Sequence, residues 1–365
     1  MSNNDTTTEA LAVAAGIGAP VILWGPPGTG KTSLVTALAD TWQLECEVVV
    51  ASIHDPTDFS GLPVIGDEGV SLAPPAWARR LATRGSGVLF LDELTTAPPA
   101  VQAALLRVVL ERTVGDLRLP DSIRVVAAAN PPDQAADGWD LAAPLANRFC
   151  HLEWRAEAAA FSQGLVSGWP APQVPVVPPG WETGLASARG VLAAFISSRP
   201  GLLLAVPDNA ASGRAWPSPR SWDLASRLWA AGSAAGISAE AHAALVVGSV
   251  GEGAAIEWLS FLHGLDLPDP EELLSDPTGF RLPDRGDRAV AVLSSVAAAV
   301  VERTTPERWK AAWRIVEQVA KTHPDVAATA ARALAQCRPK GIDAPASVVC
   351  LAPVLAQAGL LKEAV

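Results

Sequence analysis

An octapeptide near the N-terminus constrains the fold of this chain more than any other feature. Its residues follow the pattern GxxxxGK[ST] and are Gly25, Pro26, Pro27, Gly28, Thr29, Gly30, Lys31 and Thr32. The apolar run Val21–Trp24 before it predicts a buried strand, and the segment Lys31–Trp42 predicts a helix. A strand, a glycine-rich turn and a helix in this order let backbone N–H groups converge on phosphates at the helix N-terminus. An ordinary Gly-Pro turn is the alternative, but it leaves the flanking elements unexplained.

The side chains of the octapeptide indicate which ligand the turn holds. Lys31 is expected to reach the terminal phosphates of a nucleotide, and Thr32 offers a hydroxyl to Mg²⁺. The pattern therefore predicts binding of a nucleoside triphosphate, with ATP favoured, together with Mg²⁺.

A second acidic motif follows a second apolar run. Val88–Leu91 predicts a buried strand that ends in Asp92 and Glu93. Asp92 can hold the metal through water, and Glu93 can polarise the water that attacks the phosphate. Alone, the pair would be read as a strand leaving the core, but Lys31 upstream favours a catalytic role.

The remaining pattern separates an α/β half from a helical half. Further strands are predicted at Glu47–Ala51 and Ile123–Ala129, and a further helix at Pro99–Glu111. After a proline-rich stretch that is interpreted as an extended linker, helices are predicted at Pro219–Ala231, Ala239–Val247, Gly253–His263, Asp287–Arg303, Pro306–Thr322, Asp325–Cys337 and Pro345–Leu361. Trp309, Trp313 and Val316 show the helical stripe that packs such helices together.

Together the motifs resemble the AAA+ ATPases, and most closely the MoxR branch allied to the magnesium-chelatase ATPase subunits. The resemblance covers roughly residues 10–265 and includes the stretch DELTTAPPAVQAALLRVVLERTVG. It implies an α/β P-loop NTPase core of the AAA+ type with a parallel sheet, followed by an α-helical lid and an all-α C-terminal extension. The predicted boundaries are 1–155 for the core, 156–187 for a proline-rich linker, 188–265 for the lid and 266–365 for the extension, whose role the sequence does not indicate.

The resemblance assigns roles to three further residues. Asn130 matches sensor 1, whose amide orients water near the γ-phosphate, although an Asn before two prolines is also a common turn residue. Arg148 matches the arginine finger that enters the neighbouring subunit's site, with a surface arginine at a helix end as the alternative. Arg220 matches sensor 2 and would reach the γ-phosphate from the lid, in a helix that Ser218 caps and Pro219 begins.

Two stretches, 58–75 and 113–123, predict β-hairpins with glycine and acidic residues at their turns. MoxR relatives carry such hairpins, so both are candidate contacts for a client, with plain surface hairpins as the alternative. Neither contains the aromatic pore loop of protein-threading unfoldases, which favours remodelling over translocation.

Composition excludes several other classes. The net charge of −11 and pI near 5.0 argue against nonspecific nucleic-acid binding. No apolar run reaches the length of a membrane span, no basic leader precedes the first apolar stretch, and the four cysteines are scattered, so a cytoplasmic protein is expected. The histidines lack HExxH spacing, and no GxSxG elbow is present.

These features predict an ATP-hydrolysing remodeller that acts as a homo-oligomer, a hexameric ring by resemblance. In it ATP would lie between core and lid, and hydrolysis would move the two relative to each other. The resemblance also implies a protein client or a partner with a von Willebrand A domain. An ATP-binding switch or scaffold with negligible turnover is the first alternative, and a nucleic-acid motor is the last.

Overall fold

The structure, a computed structural model, describes most of the chain. The described residues are 3–67, 69–131, 134, 138–207, 214–263, 267–283, 285–343 and 351. Apart from Leu351, the helix predicted over Pro345–Leu361 therefore lies outside the described residues. Among those described, no helix combines the length and apolar character needed to cross a membrane.

The chain divides into two compact units, and each is discontinuous in sequence. The first comprises Met1–Pro179 and Leu204–Ile256, and the second comprises Gly180–Leu203 and Glu257–Val365. The four sequence-based segments divide the chain differently, and their boundaries remain predictions.

A five-stranded parallel sheet forms the centre of the first unit. The described residues form nine strands, which are β1 (Val21–Trp24), β2 (Cys46–Val50), β3 (Leu62–Gly66), β4 (Gly69–Ala73), β5 (Gly87–Asp92), β6 (Thr113–Val114), β7 (Leu117–Arg118), β8 (Ile123–Ala129) and β9 (Cys150–Glu153). The order in the large sheet is β2-β5-β8-β1-β9, and all four neighbouring pairs are parallel. The apolar runs of β1 and β5 are buried, as expected for strands covered on both faces. The sequence missed β9, because its four residues are interrupted by His151 and end in a charge.

Helices cover this sheet and make up the second unit. They are α1 (Asn3–Gly16), α2 (Lys31–Thr41), α3 (Thr57–Ser60), α4 (Ala76–Arg84), α5 (Pro99–Glu111), α6 (Ala143–Ala146), α7 (Ala158–Ser167), α8 (Leu185–Ser198), α9 (Pro219–Ala235), α10 (Ala239–Val250), α11 (Glu252–His263), α12 (Pro270–Ser275), α13 (Gly286–Glu302), α14 (Pro306–Ala320) and α15 (Pro324–Gln336). The predicted helices within the described residues are confirmed to within a few residues at their ends. The extended linker is wrong over Ala158–Ser167, where an alanine-rich stretch without proline forms α7.

Helix α10 packs on the edge strand β9, and α9 packs on α10. Helix α9 begins with the predicted Ser218 cap, whose hydroxyl accepts from the Ser221 N–H in a reciprocal capping box. In α10, Gly248 lies so close to the strand that a Cβ there would meet the His151 carbonyl oxygen at 2.3 Å. Glu9 of α1 accepts hydrogen bonds from the backbone N–H and hydroxyl of Ser238, just before α10. These contacts fasten both helices to the sheet.

Both predicted hairpins are present, and the turn of the second contacts the base of the first. Strand β3 pairs with β4, and β6 pairs with β7, each antiparallel. The Leu72 N–H donates to the Asp116 carboxylate at 2.6 Å, and the Asp116 N–H donates to the Leu72 carbonyl at 3.0 Å. Gly61 and Gly115 leave no room for side chains, because a Cβ on Gly61 would meet the Gly115 Cα at 2.6 Å. The turn of β6–β7 is therefore clamped to the base of β3–β4.

The second unit is helical and has its own apolar core. Trp309 and Trp313 of the predicted stripe are buried there, and the Trp309 indole donates to the Leu334 carbonyl at 2.8 Å. Helix α8 packs closely against α13, where a Cβ on Gly190 would meet the Ser295 Cα at 2.5 Å.

Candidate nucleotide-binding site

The octapeptide forms the turn between β1 and α2, at the carboxyl end of the sheet. Gly28 and Gly30 adopt positive φ angles of 76° and 88°, a region that favours glycine. The Trp154 indole donates to the Thr29 carbonyl at 2.9 Å, so the residue after β9 supports the turn. Trp154 is a contact that no sequence motif indicated.

Lys31 occupies the centre of this turn and is largely buried. Its ammonium group donates to the carbonyls of Gly25 at 2.6 Å and Pro26 at 2.9 Å, and to the Asn130 side-chain oxygen at 3.0 Å. Burial lowers the pKa of Lys31, while the nearby Asp92 carboxylate opposes that shift. The ammonium group is thus surrounded by oxygen acceptors where phosphate oxygens would compete for it.

The predicted metal-binding pair is assembled beside Lys31. The Thr32 hydroxyl donates to Asp92 Oδ2 at 2.8 Å, which brings the start of α2 against the end of β5. A hydroxyl and a carboxylate are hard oxygen ligands, as Mg²⁺ requires when phosphates and water complete its coordination. Among the described residues no cluster of three or more His, Cys, Asp or Glu residues forms a separate metal site. The residues present therefore fit Mg²⁺ that is bound together with a nucleotide.

Glu93 follows β5 in a conformation that non-glycine residues adopt rarely. Its φ is 56° and its ψ is 40°, and its N–H donates to Asp92 Oδ1 at 2.9 Å. The Ser52 hydroxyl donates to Glu93 Oε2 at 2.5 Å from the turn after β2. Strained backbone of this kind is common at functional sites. Ser52 was missed because a lone serine after a strand carries no sequence signal.

Asn130 ends β8 and lies within the same group of residues. Its backbone is fixed by Thr95, whose hydroxyl lies 3.2 Å from both the N and the O of Asn130. Because Asn130 Oδ1 accepts from Lys31, its amide N–H groups remain to donate elsewhere. Lys31, Thr32, Asp92, Glu93 and Asn130 are thus brought together as predicted.

Arg148 lies at the other end of the sheet. It precedes β9, and the register pairs Cys150 with Val21 and Glu153 with Trp24. By this register, Arg148 is level with a position on the β1 side that lies six residues before Gly25. At roughly 3.3 Å per residue, Arg148 and Gly25 are therefore about 20 Å apart along the strand direction. That separation exceeds the reach of an arginine side chain, and the Arg148 guanidinium instead donates to the Pro144 carbonyl.

Arg220 lies beside Arg148 and not at the P-loop of its own chain. The Ser218 hydroxyl donates to Asn147 Oδ1 at 2.8 Å, and Asn147 Nδ2 donates to the Trp216 carbonyl at 3.2 Å. The start of α9 is thereby attached to the turn that carries Arg148. Burial lowers the pKa of Arg148, and the positive charge of Arg220 lowers it further. The contact of Arg220 with a γ-phosphate stays a prediction, and within one chain Arg220 lies with Arg148.

Comparison with known proteins agrees with this geometry. The family model for the AAA domain of the dynein-related subfamily matches residues 20–149. The chain is 33% identical over 134 residues to the Psp operon transcriptional activator of Escherichia coli, covering 33% of this chain and 40% of the activator. It is 34% identical over 135 residues to the human ATPase family gene 2 protein homolog B, covering 35% of this chain and 16% of that protein.

The chain spans less than half of the length of these curated relatives. A solved structure of a candidate ATPase from Cytophaga hutchinsonii aligns with 72% of this chain and 92% of its own, at 17% identity and a TM-score of 0.45. The family match covers the P-loop, the acidic pair after β5, and Asn130 and Arg148. Residues 20–149 therefore match the AAA domain of the dynein-related subfamily, and this match fits a MoxR-type AAA+ core that is built on a parallel sheet and followed by a helical region.

Proposed function

We propose that this chain hydrolyses ATP in a ring-shaped homo-oligomer, a hexamer, and uses the reaction to remodel or activate a protein partner. The observation that carries the proposal is the separation of its catalytic groups. Lys31, Asp92 and Glu93 lie at the carboxyl end of the sheet, and Arg148 and Arg220 lie near the amino end of β9. One chain therefore offers two incomplete halves of a site, which a neighbouring copy would complete.

In the half that holds the nucleotide, each side chain has a distinct task. Lys31 would exchange its carbonyl acceptors for β- and γ-phosphate oxygens. Thr32 and Asp92 would hold Mg²⁺, which would neutralise the negative charge that develops on the phosphate oxygens. Glu93 would accept a proton from the attacking water after leaving Ser52, and the Asn130 amide would orient that water.

The other half supplies positive charge. Arg148 and Arg220 are close enough for the charge of one to disfavour that of the other. An anion between two guanidinium groups would relieve this repulsion, and the γ-phosphate of a neighbour's ATP is such an anion. In this proposal both arginines act on the neighbouring subunit, where they stabilise charge in the transition state.

A client would contact the hairpin β3–β4. Ile65 and Val70 pair across its tip and are 87% and 68% exposed, while Leu62 and Val64 are exposed on the opposite face. Apolar side chains on both faces suit a protein client better than a nucleic-acid backbone, and so does the net charge of −11. A partner with a von Willebrand A domain rests on the MoxR resemblance.

The test is steady-state ATPase activity as a function of protein concentration. The proteins are wild type, Glu93→Gln, Arg148→Ala, an equal mixture of the two variants, and the control Arg84→Ala, whose exposed arginine pairs with Glu45 away from the site. We expect specific activity to rise with concentration, both site variants to be inactive, the mixture to recover turnover and the control to match wild type. Recovery is expected because a mixed ring contains interfaces in which Glu93 and Arg148 are both intact.

Other outcomes select the alternatives. ATP binding without turnover in any sample, with the partner absent or present, would favour an ATP-dependent switch or scaffold. A fully active Arg148→Ala variant would refute the arginine finger. Binding to DNA that weakens steeply with added salt would favour a nucleic-acid motor.

A further inference from the structure

A buried imidazole links the strand before the P-loop to the turn before Arg148. His151 lies on β9 and is 8% exposed. The Trp24 indole Nε1 lies 2.9 Å from His151 Nδ1, and His151 Nε2 lies 2.9 Å from the Ala146 carbonyl oxygen. An indole N–H only donates, so Nδ1 accepts and the imidazole proton is on Nε2, which donates to Ala146.

The surroundings keep this imidazole neutral. Burial lowers the pKa of His151 to about 4, and the nearby positive charge of Arg214 also lowers it. The hydrogen bond to the Ala146 carbonyl has the opposite effect on this pKa, smaller than that of burial. Arg214 is held in place because its guanidinium lies 3.8 Å above the Trp24 ring and pairs with Glu153 at 2.5 Å. At neutral pH His151 therefore has a single protonation state, with both ring nitrogens committed.

The two partners of His151 lead to the two halves of the proposed site. Trp24 immediately precedes Gly25, the first residue of the P-loop. Ala146 is the last residue of α6, and Arg148 follows it by two residues. The Arg148 guanidinium donates to the Pro144 carbonyl of this same short helix. A displacement of α6 would therefore move the arginine.

We propose that His151 is a positioning residue that holds the P-loop strand and the Arg148 turn of one subunit in a fixed relation. The proposal rests on the proposed role of Arg148 in the neighbouring subunit's site. It assigns each ring nitrogen a separate effect, since Nδ1 supports the chain's own nucleotide site and Nε2 supports the arginine offered to the neighbour.

Two substitutions separate the nitrogens. His151→Asn places an amide oxygen near the position of Nδ1, so it retains an acceptor for Trp24 but is too short to reach Ala146. His151→Gln places an amide nitrogen near the position of Nε2, so it retains a donor to Ala146 but loses the acceptor for Trp24. His242→Gln is the control, because His242 is a partly buried histidine in α10 that packs against Trp229 away from this connection.

The assay uses full-length chains of two parents. The donor parent, Glu93→Gln, offers Arg148 but does not hydrolyse ATP, and the acceptor parent, Arg148→Ala, hydrolyses ATP only beside a donor. With His151→Asn added to the donor, we expect turnover of the mixture to fall about tenfold or more, because a misplacement of about 1 Å at a catalytic group has an effect of that order. With His151→Gln added to the donor, turnover should stay within about twofold of the parent mixture.

When the two His151 substitutions are placed in the acceptor parent, we expect the reverse order of effects. His151→Gln there should raise the KM for ATP severalfold and leave kcat nearly unchanged, and His151→Asn should leave KM unchanged. A purely structural role would lower kcat, ATP affinity and melting temperature together for both substitutions, in whichever parent they are placed. Equal effects of Asn and Gln, or effects no larger than those of His242→Gln, would overturn the proposal. No turnover in the mixture of parents with His151 intact would refute the role of Arg148 itself, and with it the donor half of this proposal.

Discussion

The close contact between α10 and the edge strand gives the sharpest stability prediction. Gly248 packs directly on β9, so Gly248→Ala would place a Cβ 2.3 Å from the His151 carbonyl oxygen and 3.0 Å from Cys150 Sγ. Unlike a side chain, the backbone of a paired strand cannot relieve such a close contact by a change of rotamer. Helix α10 would therefore have to move outward by about 1 Å to reach ordinary contact distance.

The expected magnitude combines two opposing effects. Overpacking of a well-filled contact destabilises by about 1–3 kcal/mol, and the upper end applies here because the obstacle is backbone. Replacing glycine by alanine within a helix stabilises the helix by roughly 1 kcal/mol, because alanine has the higher helix propensity. We expect the free energy of unfolding of the first unit to fall by about 2 kcal/mol.

The measurement is a urea titration that follows both tryptophan fluorescence and far-UV circular dichroism, so that separate transitions of the two units are recognised. Gly253→Ala in α11 is the matched control, because a Cβ there meets nothing within 4 Å. It should be neutral or slightly stabilising. A Gly248→Ala variant as stable as wild type would refute the direct packing of α10 on β9 and would leave α10 free to move as the predicted lid.

Three further predictions concern the site, the hairpins and pH. Asp92→Asn should weaken ATP binding roughly tenfold in Mg²⁺ but not in EDTA, as measured by calorimetry, because it removes a charged metal ligand; equal weakening in both conditions would contradict its metal-binding role. Gly115→Ala should separate the clamped hairpins, since its φ is +59° and a Cβ would meet the Leu72 carbonyl oxygen at 2.4 Å; faster proteolysis in the hairpins with unchanged ATP affinity is the expected result, and unchanged proteolysis would argue against the clamp. The pKa of His151 is lowered from 6.5 to about 4, so between these values the unfolded chain binds a proton that the folded chain does not. Its contribution to stability is therefore complete above pH 6.5 and is lost as the pH falls toward 4, by up to about 1.4 kcal/mol per pH unit. His151→Gln should reduce that slope in urea titrations, and an unchanged slope would show that other groups cause it.

The elements predicted best from sequence were those in which local pattern and packing agree. Val21–Trp24 and Ile123–Ala129 have the predicted bounds, because apolar runs of this kind, interrupted in the second only by Arg124, are typical of strands buried on both faces. Strand β9 has a weaker apolar sequence pattern. Its stability depends instead on pairing with β1 and on the packing of α10 against it. Such nonlocal support is invisible in a short window of sequence.

The residues of the candidate site also divide into those that a local motif predicts and those that depend on nonlocal contacts. Lys31, Thr32 and Asp92 were predicted because their spacing within motifs reflects the local geometry of a strand followed by a turn. Ser52 and His151 were missed as site residues, because their partners are far away in sequence and become neighbours only through sheet order. The position of Arg220 beside Arg148 was not predicted for a related reason, since the sequence shows a capped helix start but not which end of the sheet that helix meets.

Strand β9 therefore has a larger part in this molecule than its length suggests. Arg148 lies two residues before it, His151 within it accepts from Trp24, and Trp154 directly after it supports the P-loop turn. Because β9 runs parallel to β1, the groups at its two ends lie at opposite ends of the sheet. If Arg148 acts on the neighbouring subunit, a small tilt of β9 would have two effects at once. It would move the P-loop turn of the subunit's own nucleotide site, and it would move the arginine that enters the neighbour's site. Substitutions along β9 should thus change ATP affinity and cooperativity together, whereas substitutions in β2 at the far edge should affect the subunit's own site alone.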